Sequence, residues 1–131
     1  MASLAVARIR PARNAVRALG VLLLALWTSA CGWMPADEQI LRAFFEASAL
    51  YDTTMAGRVA RVVFDPRVEG VVTRFDVASR ADTPIDGGLR REATLRAVVR
   101  AAGRERDRML IMSMERRGSG AWMVTGYRWA E

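Results

Sequence analysis

The chain has 131 residues, of which 52% are hydrophobic and 26% charged, a composition that fits one folded domain and excludes a disordered chain. Its formal net charge is +6, yet every basic residue is arginine, and the chain has no lysine, no histidine and a single cysteine. These absences exclude an imidazole base, a lysine nucleophile, histidine metal ligands and an internal disulfide, so we expect no enzyme, no cofactor and no metal site.

The N-terminal segment has the three parts of a secretory signal. Four arginines fall within residues 1–18, residues 19–27 form an apolar run, and small residues follow. Most of the positive charge belongs to this segment: beyond residue 30 the chain has sixteen arginines and fourteen acidic residues, a net charge of +2. Because the remaining arginines alternate with acidic residues, we expect no nucleic-acid partner.

The sequence Thr-Ser-Ala-Cys-Gly at residues 28–32 resembles the lipobox of bacterial lipoproteins, with Thr28 where the family usually has leucine. The resemblance implies that residues 1–30 are a cleaved signal peptide and that Cys31 receives the lipid anchor, with acyl chains such as palmitate. The mature protein is then held on the periplasmic or extracellular side of a cell-envelope membrane. Two or three acyl chains give stable anchoring, at about 0.8 kcal/mol per buried methylene.

Two other interpretations of this segment stay open. Residues 18–36 contain no charge, and these 19 residues just reach the length of an uncleaved membrane anchor. Ordinary secretion is the third alternative. The strongly apolar part is only the run at 19–27, which favours a cleaved signal.

Residues 31–36 form a short tether between Cys31 and the domain at 37–131. An extended chain covers at most about 3.6 Å per residue, so about five residues reach about 18 Å. We therefore expect the domain to lie close to the bilayer.

The clearest element of the domain is a helix predicted at 36–56. Pro35 suits a helix start, and acidic residues follow it in the first turn. Side chains at spacings of three and four form an apolar stripe, and Gly57 is typical of a helix end. The residues of this stripe are Leu41, Phe44, Ser48, Tyr51 and Met55.

Alternating patterns after Gly57 predict four strands, near 71–80, 93–100, 109–114 and 122–129, with a shorter fifth at 59–64. In the first of these, Phe75 falls on one face, and Asp76 and Arg80 fall on the other. Gly- and Pro-rich connections are predicted at 83–88, 103–107 and 117–120. We predict an α+β fold in which one long N-terminal helix packs on a curved antiparallel sheet of four to five strands.

The order of one helix and then four strands, ending in Gly-Ser-Gly-Ala-Trp-Met-Val-Thr-Gly-Tyr at 118–127, resembles the nuclear transport factor 2-like, or cystatin-like cone, superfamily. Some members of that superfamily are isomerases or cyclases with an Asp base and a Tyr or a carboxylic acid as oxyanion donor. The nearest candidates here are Asp76 and Tyr127. We expect Asp76 to face solvent, and we assign no catalytic residue.

Two groups of side chains are candidates for binding. One is an apolar pocket or patch on the sheet, although core packing is the favoured explanation of the same residues: Met112, Met114, Trp122, Met123, Tyr127 and Trp129. The other is a cluster of arginines that either pair with neighbouring acids or contact anionic lipid headgroups or an acidic partner: Arg90, Arg91, Arg96, Arg100, Arg104, Arg106 and Arg108.

Two functions remain. The first is a membrane-tethered envelope lipoprotein, bound to the membrane through Cys31, whose domain is a non-catalytic binding or scaffold module for a protein or lipid partner. The second is a cone-fold domain that binds a small apolar ligand or acts as an enzyme. They differ in whether the concave sheet face is hollow or filled by Phe44, Phe45 and Tyr51. The sequence leaves the oligomeric state and the identity of the membrane open.

Overall fold

The computed structural model describes residues 33–131. The predicted signal at 1–30 and the predicted lipidation site at Cys31 lie outside the described residues, so both stay predictions. Within residues 33–131, no helix combines the length and the apolar character needed to cross a membrane.

Three helices precede a four-stranded antiparallel sheet in the described chain, which confirms the α+β class. The helices are α1 (Ala36–Ala49), α2 (Thr53–Val59) and α3 (Pro66–Glu69). The strands are β1 (Val71–Ile85), β2 (Gly88–Ala101), β3 (Arg104–Arg117) and β4 (Met123–Trp129). The strands pair in chain order, β1-β2-β3-β4, because tight turns join successive strands.

The predicted long helix at 36–56 is wrong, because α1 has only 14 residues. Tyr51 adopts the left-handed conformation (φ 53°), which a continuous helix does not allow. Asp52 then starts α2 by accepting a hydrogen bond from the Met55 backbone N–H at 3.0 Å. Gly57, predicted to end the helix, lies inside α2. The apolar spacing continued across the break, but Tyr51 and Met55 are 56% and 41% exposed.

The predicted fifth strand at 59–64 is also absent from the described part of the chain. It is replaced by the end of α2 and by a single parallel bridge between Ala60 and Val124. The Arg61 backbone N–H donates to the Val124 carbonyl at 2.9 Å. Pro66 follows closely and occupies the first turn of α3, where its missing N–H costs nothing.

Two segments predicted to be connecting loops, 83–88 and 103–107, belong mostly to strands. Residues 83–85 belong to β1, and 104–107 belong to β3, so the turns are only two residues long. In the second turn, Ala102 and Gly103 both have positive φ, 51° and 73°. This is the backbone of a type I′ hairpin turn, whose twist matches that of the flanking strands.

Register shifts decide which side chains share the inner face, by which we mean the sheet face that α1 covers. The register of β1 shifts between Val72 and Arg74 and again between Val77 and Ser79. Each shift inserts a residue, so the alternation changes sides. As a result Arg80, predicted to lie opposite Phe75, is on the same inner face.

The middle of the inner face is filled with apolar side chains. Leu41, Phe44 and Phe45 of α1 are buried against it. Phe64 packs edge-on to both phenylalanine rings, and its ring centre lies 6.1 Å from that of Phe44 and 5.5 Å from that of Phe45. The sheet residues below them are all buried: Ala93, Leu95, Leu110, Met112, Met114 and Val124. The interior is therefore packed by α1 and Phe64, and Tyr51 takes no part in it.

Candidate functional site

The inner face extends past the core at both ends, and charged side chains occupy both extensions. At the end beside the first turn of α1, Asp37 is only 1% exposed. Arg80 Nε donates to its Oδ2 at 2.6 Å, and Arg91 Nη1 donates to the same oxygen at 3.2 Å. Arg91 also binds Asp82 through two hydrogen bonds of 2.7 and 2.8 Å. Together with Glu38, these residues form what we call the ionic cluster.

Two carboxyl groups of the ionic cluster, those of Asp37 and Asp82, are held in their charged form. Burial alone raises the pKa of Asp37, but the hydrogen bonds and charges of Arg80 and Arg91 outweigh it and hold that pKa below its ordinary value. The hydrogen bond from Arg91 also lowers the pKa of Asp82. Arg80 completes the cluster by donating to Glu38 at 2.9 Å.

An indole ring closes this end of the sheet. Trp122 is buried, and the guanidinium groups of Arg91 and Arg116 lie 4.6 and 4.8 Å from its ring centre. Such cation–π contacts favour cations that are partly desolvated. Since the charges of the ionic cluster are paired with one another, we interpret this end as structural: it fixes the N-terminus of α1 to the sheet.

The opposite end carries three arginines that we call the arginine row: Arg104, Arg106 and Arg108. They alternate along β3 on the same face as the core residue Leu110. All three are exposed, and no carboxylate of the described residues lies within 4.0 Å of them. At the other end of the inner face Arg80 and Arg91 are ion-paired, whereas Arg116 has no ion pair and stacks on Trp122.

The arginine row borders an open depression of about 540 Å³. Its other lining residues are Glu69, Val99, Ala101 and Ala102. It therefore combines positive charge at its rim with small apolar side chains at its floor.

Glu69 is held in place by two aromatic donors. Its carboxylate accepts hydrogen bonds from the Tyr127 hydroxyl at 3.1 Å and from Trp129 Nε1 at 2.5 Å. Burial, together with the hydrogen bond to Glu69, raises the pKa of Tyr127, so the phenol stays protonated and donates. The Arg108 guanidinium lies 3.8 Å from the centre of the Trp129 ring. The network fixes the wall of the depression.

The edge of β3 beside the arginine row has no neighbouring strand in the part of the chain that the structure describes. The last β4 pair joins Trp129 to Leu110, and the Ala130 backbone N–H donates to the Met109 carbonyl at 3.0 Å. Outward-facing backbone groups recur at every second residue of a strand. Those of Asp107 and Glu105 are therefore unpaired along what we call the open edge, residues 104–108.

The two charged ends are far apart. Arg91, in the ionic cluster, and Ala101, opposite Arg104, are separated by ten residues of β2. At about 3.4 Å per residue this is a distance of about 34 Å along the strand. The arginine row thus lies at the end of the sheet away from the N-terminus of α1, where the chain enters the domain.

The six residues of the predicted apolar pocket or patch do not converge on one site. Met112 and Met114 are fully buried in the core, and Trp122 lies beside the ionic cluster. Met123 pairs with Glu115 on the outer face, because a register shift separates the start of β4 from the rest. Tyr127 and Trp129 hold Glu69 at the far end.

The seven predicted arginines also divide. Arg90 pairs with Glu115 at 2.8 Å, and Arg91 belongs to the ionic cluster. Arg96 and Arg100 lie on the outer face, opposite Asp76 and Glu105. Only the arginine row combines an inner-face position, exposure and the lack of an ion-pair partner among the described residues.

Sequence reasoning did not single out Asp37, Arg80 or Glu69 as members of a network. Asp37 has the signature of an ordinary first-turn acid, and Glu69 has no pattern around it. Residues 104–108 read Arg-Glu-Arg-Asp-Arg, and this alternation of charge could have predicted that the strand begins at Arg104 although the segment has no apolar residues.

Among residues 33–131 no three acidic, histidine or cysteine side chains gather as a metal site would require. Comparisons of the chain with protein-family models, with characterised proteins and with solved structures find no match.

Proposed function

We propose that this protein is a membrane-tethered lipoprotein of the bacterial cell envelope whose domain is a non-catalytic binding module for a partner protein. The observation that carries the proposal is the arginine row. Three exposed guanidinium groups with no ion-pair partner among residues 33–131 lie beside an open depression and a strand edge that is unpaired in the same residues, and positive charge of this kind attracts acidic surfaces.

The ionic cluster lies at the end of the sheet where the chain enters the domain. This position supports a tether at that end and partner binding at the opposite end of the sheet. If Cys31 carries lipid, the chain leaves the bilayer and enters α1 after about five residues, within about 18 Å. Asp37 joins that entry point to Arg80 and Arg91 of the sheet. The arginine row is about 34 Å further along β2, so a domain that stands on its α1 N-terminal end presents the row away from the anchoring membrane. This favours a protein partner over the headgroups of that membrane.

The filled interior gives no support to a cone that binds an apolar ligand between helix and sheet, since Leu41, Phe44 and Phe45 occupy that space. Helices followed by a four-stranded meander support our proposal that the domain is related to the cystatin-like cone superfamily.

The tether is tested by the intact mass of protein extracted from membranes. We expect a chain that begins at Cys31 and carries acyl groups, and we expect Cys31→Ser to abolish both cleavage and acylation. A wild-type chain that keeps residues 1–30 and a free thiol would contradict the lipoprotein proposal.

The binding role is tested by crosslinking in native membranes. We expect a specific crosslinked product that disappears in the triple variant R104Q/R106Q/R108Q. The matched control R58Q/R61Q/R74Q removes the same charge from exposed arginines elsewhere and should retain the product. Equal loss in both variants would mean that net charge alone, not the arginine row, holds the partner.

A further inference from the structure

We propose that the open edge of β3 pairs with an extended segment of the partner protein that carries acidic side chains at alternate positions. This inference deepens the proposed function and rests on it for the existence of a partner. It adds the mode of binding, strand addition, and the chemistry of the segment.

Backbone geometry supports strand addition. β4 leaves the edge of β3 at Met109, and the outward N–H and C=O groups of Asp107 and Glu105 continue the line of pairing without a partner in the described chain. An extended peptide placed there extends the sheet and forms about four backbone hydrogen bonds. A lipid headgroup or a compact ion cannot satisfy such a row of backbone groups.

The spacing of the arginine row supports an acidic sequence. Same-face side chains repeat about every 6.8 Å along a strand, so Arg104, Arg106 and Arg108 offer one positive charge at each step. An added strand has the same repeat, so acidic residues at alternate positions each come opposite an arginine. Its intervening side chains face Glu105 and Asp107, where basic residues fit.

The depression gives the acidic side chains room. Val99 and Ala101 at its floor are small, and nothing in the described chain fills it. Among the described residues Glu69 is the only acid that lines it, and one of its carboxylate oxygens accepts from Tyr127 while the other accepts from Trp129. The row therefore outweighs Glu69 by two charges.

The same charge pattern disfavours a second copy of this chain as the occupant. When two antiparallel edges join with their inner faces on the same side, residues of the same kind come opposite each other. Residues 104–108 read Arg-Glu-Arg-Asp-Arg, so arginine would face arginine and acid would face acid. Like charges directly opposite are destabilising, and natural edge strands use them to avoid self-pairing.

Peptide binding to the full-length protein, purified from membranes into phosphatidylcholine nanodiscs, tests the inference. The probe is a labelled peptide of sequence Thr-Glu-Lys-Glu-Lys-Glu-Thr. Its control is Thr-Glu-Glu-Glu-Lys-Lys-Thr, which has the same composition and charge without the alternation. We expect the alternating peptide to bind about tenfold more tightly, because the control places one lysine opposite an arginine and one glutamate opposite an acid.

Two further arms separate strand addition from charge attraction. Methylation of the peptide's backbone nitrogens on the edge that faces β3 should abolish binding, and bound peptide should slow amide hydrogen exchange at Glu105 and Asp107. R104Q/R106Q/R108Q should lose binding, whereas R58Q/R61Q/R74Q should keep it. Equal binding of the scrambled or methylated peptide would overturn the inference.

Other outcomes identify other occupants or none. Binding of phosphatidylglycerol vesicles through the arginine row, with no peptide binding, would assign the site to lipid and overturn the inference. No binding of either probe would mean that the charges only protect the edge, which also overturns it. If crosslinking in membranes still depends on the row, the proposed function survives these failures. Peptide binding by an unlipidated wild type would contradict only the tether.

Discussion

At the scale of single residues, the decisive feature is the buried carboxylate of Asp37. A buried charge costs several kcal/mol unless hydrogen bonds and an opposite charge compensate it, and Arg80 and Arg91 supply both. Removing one of these arginines leaves Asp37 with a single guanidinium partner, and removing both leaves its buried charge uncompensated. The ionic cluster therefore stabilises the fold only while its opposite charges stay in contact. We expect the effects of substituting its members to be coupled rather than additive.

Asp37→Asn should lower the free energy of unfolding at pH 7 by about 2 kcal/mol, because Arg80 and Arg91 lose the buried anion that joins them and keep only Glu38 and Asp82 as ion-pair partners. Urea denaturation measures this. Asp76→Asn, on the exposed outer face opposite Arg96, is the control and should change stability by less than about 0.5 kcal/mol. Similar losses in the two variants would contradict the structural role of the ionic cluster.

The same carboxyl group predicts a pH dependence. Because the pKa of Asp37 is lower in the folded than in the unfolded chain, its contribution is present above the ordinary value of 3.8 and is lost as pH falls through the lowered value. Wild type should therefore lose more stability than Asp37→Asn between pH 7 and pH 2.5. Unfolding curves at several pH values should show the gap between the two proteins shrinking in acid; a constant gap would refute the assignment.

At the scale of elements, turns and helix ends determine where each strand and helix begins. The two-residue turn at Ala102 and Gly103 starts β3 at Arg104, so the arginine row belongs to a strand. The break at Tyr51 ends α1, and Asp52 begins α2. In both places a left-handed residue that is not glycine carries a conformational cost.

Ala102→Asn should raise the free energy of unfolding by about 0.5–1 kcal/mol, because asparagine tolerates the left-handed conformation that a type I′ turn needs at this position. Ala102→Val should lower it, since a β-branched residue fits positive φ poorly. Thermal denaturation compares the two. The reverse order would argue against this turn type.

Two glycines should respond in opposite directions. In Gly88→Ala the new Cβ would lie 2.0 Å from the Arg116 carbonyl oxygen, so β2 and β3 must separate, and we expect a loss of about 2 kcal/mol or more. In Gly57→Ala the new Cβ meets nothing within 4 Å inside α2, and we expect a gain of up to about 1 kcal/mol. Chemical denaturation of both variants checks the pair.

At the scale of the whole molecule, arginine has two roles at two ends of one sheet face. Near the N-terminus of α1 it neutralises buried acid, and at the far end of β3 it remains unpaired among the described residues. Removing an arginine that neutralises a buried acid lowers the stability of the fold. Removing an exposed arginine that lies among like charges should not lower the stability. If the row binds a partner and the cluster holds the fold together, variants of the two should therefore differ in stability.

R104Q/R106Q should leave the free energy of unfolding within about 0.5 kcal/mol of wild type, while R80Q/R91Q, which removes the same charge, should lower it by about 3 kcal/mol. Arg108 is left intact because its guanidinium covers the Trp129 ring. Calorimetry or urea denaturation measures both. A row variant as unstable as the cluster variant would remove the case for a binding surface.

The α+β class and the four antiparallel strands could be predicted because alternation and turn residues are local signals. The helix break at Tyr51 could not, because the apolar spacing continues across it. The side of Arg80 was mispredicted because strict alternation cannot anticipate the register shift before Ser79. The start of β3 was missed because residues 104–107 alternate only in charge, without the apolar face that marks a strand.

By itself the sequence excluded histidine and lysine chemistry and an internal disulfide, and it determined the near-neutral charge of the domain, because composition alone decides these properties. It also determined the periodicities of the helices and strands, which depend on residues close together in the chain. Only the tertiary structure decided which charges are compensated. Asp37 meets Arg80 and Arg91 across 43 and 54 residues, and the open edge of β3 has no strand partner among the described residues because β4 ends opposite Leu110. Ion pairing and the extent to which two strands overlap both depend on segments that are distant in the chain, so no local sequence pattern predicts them.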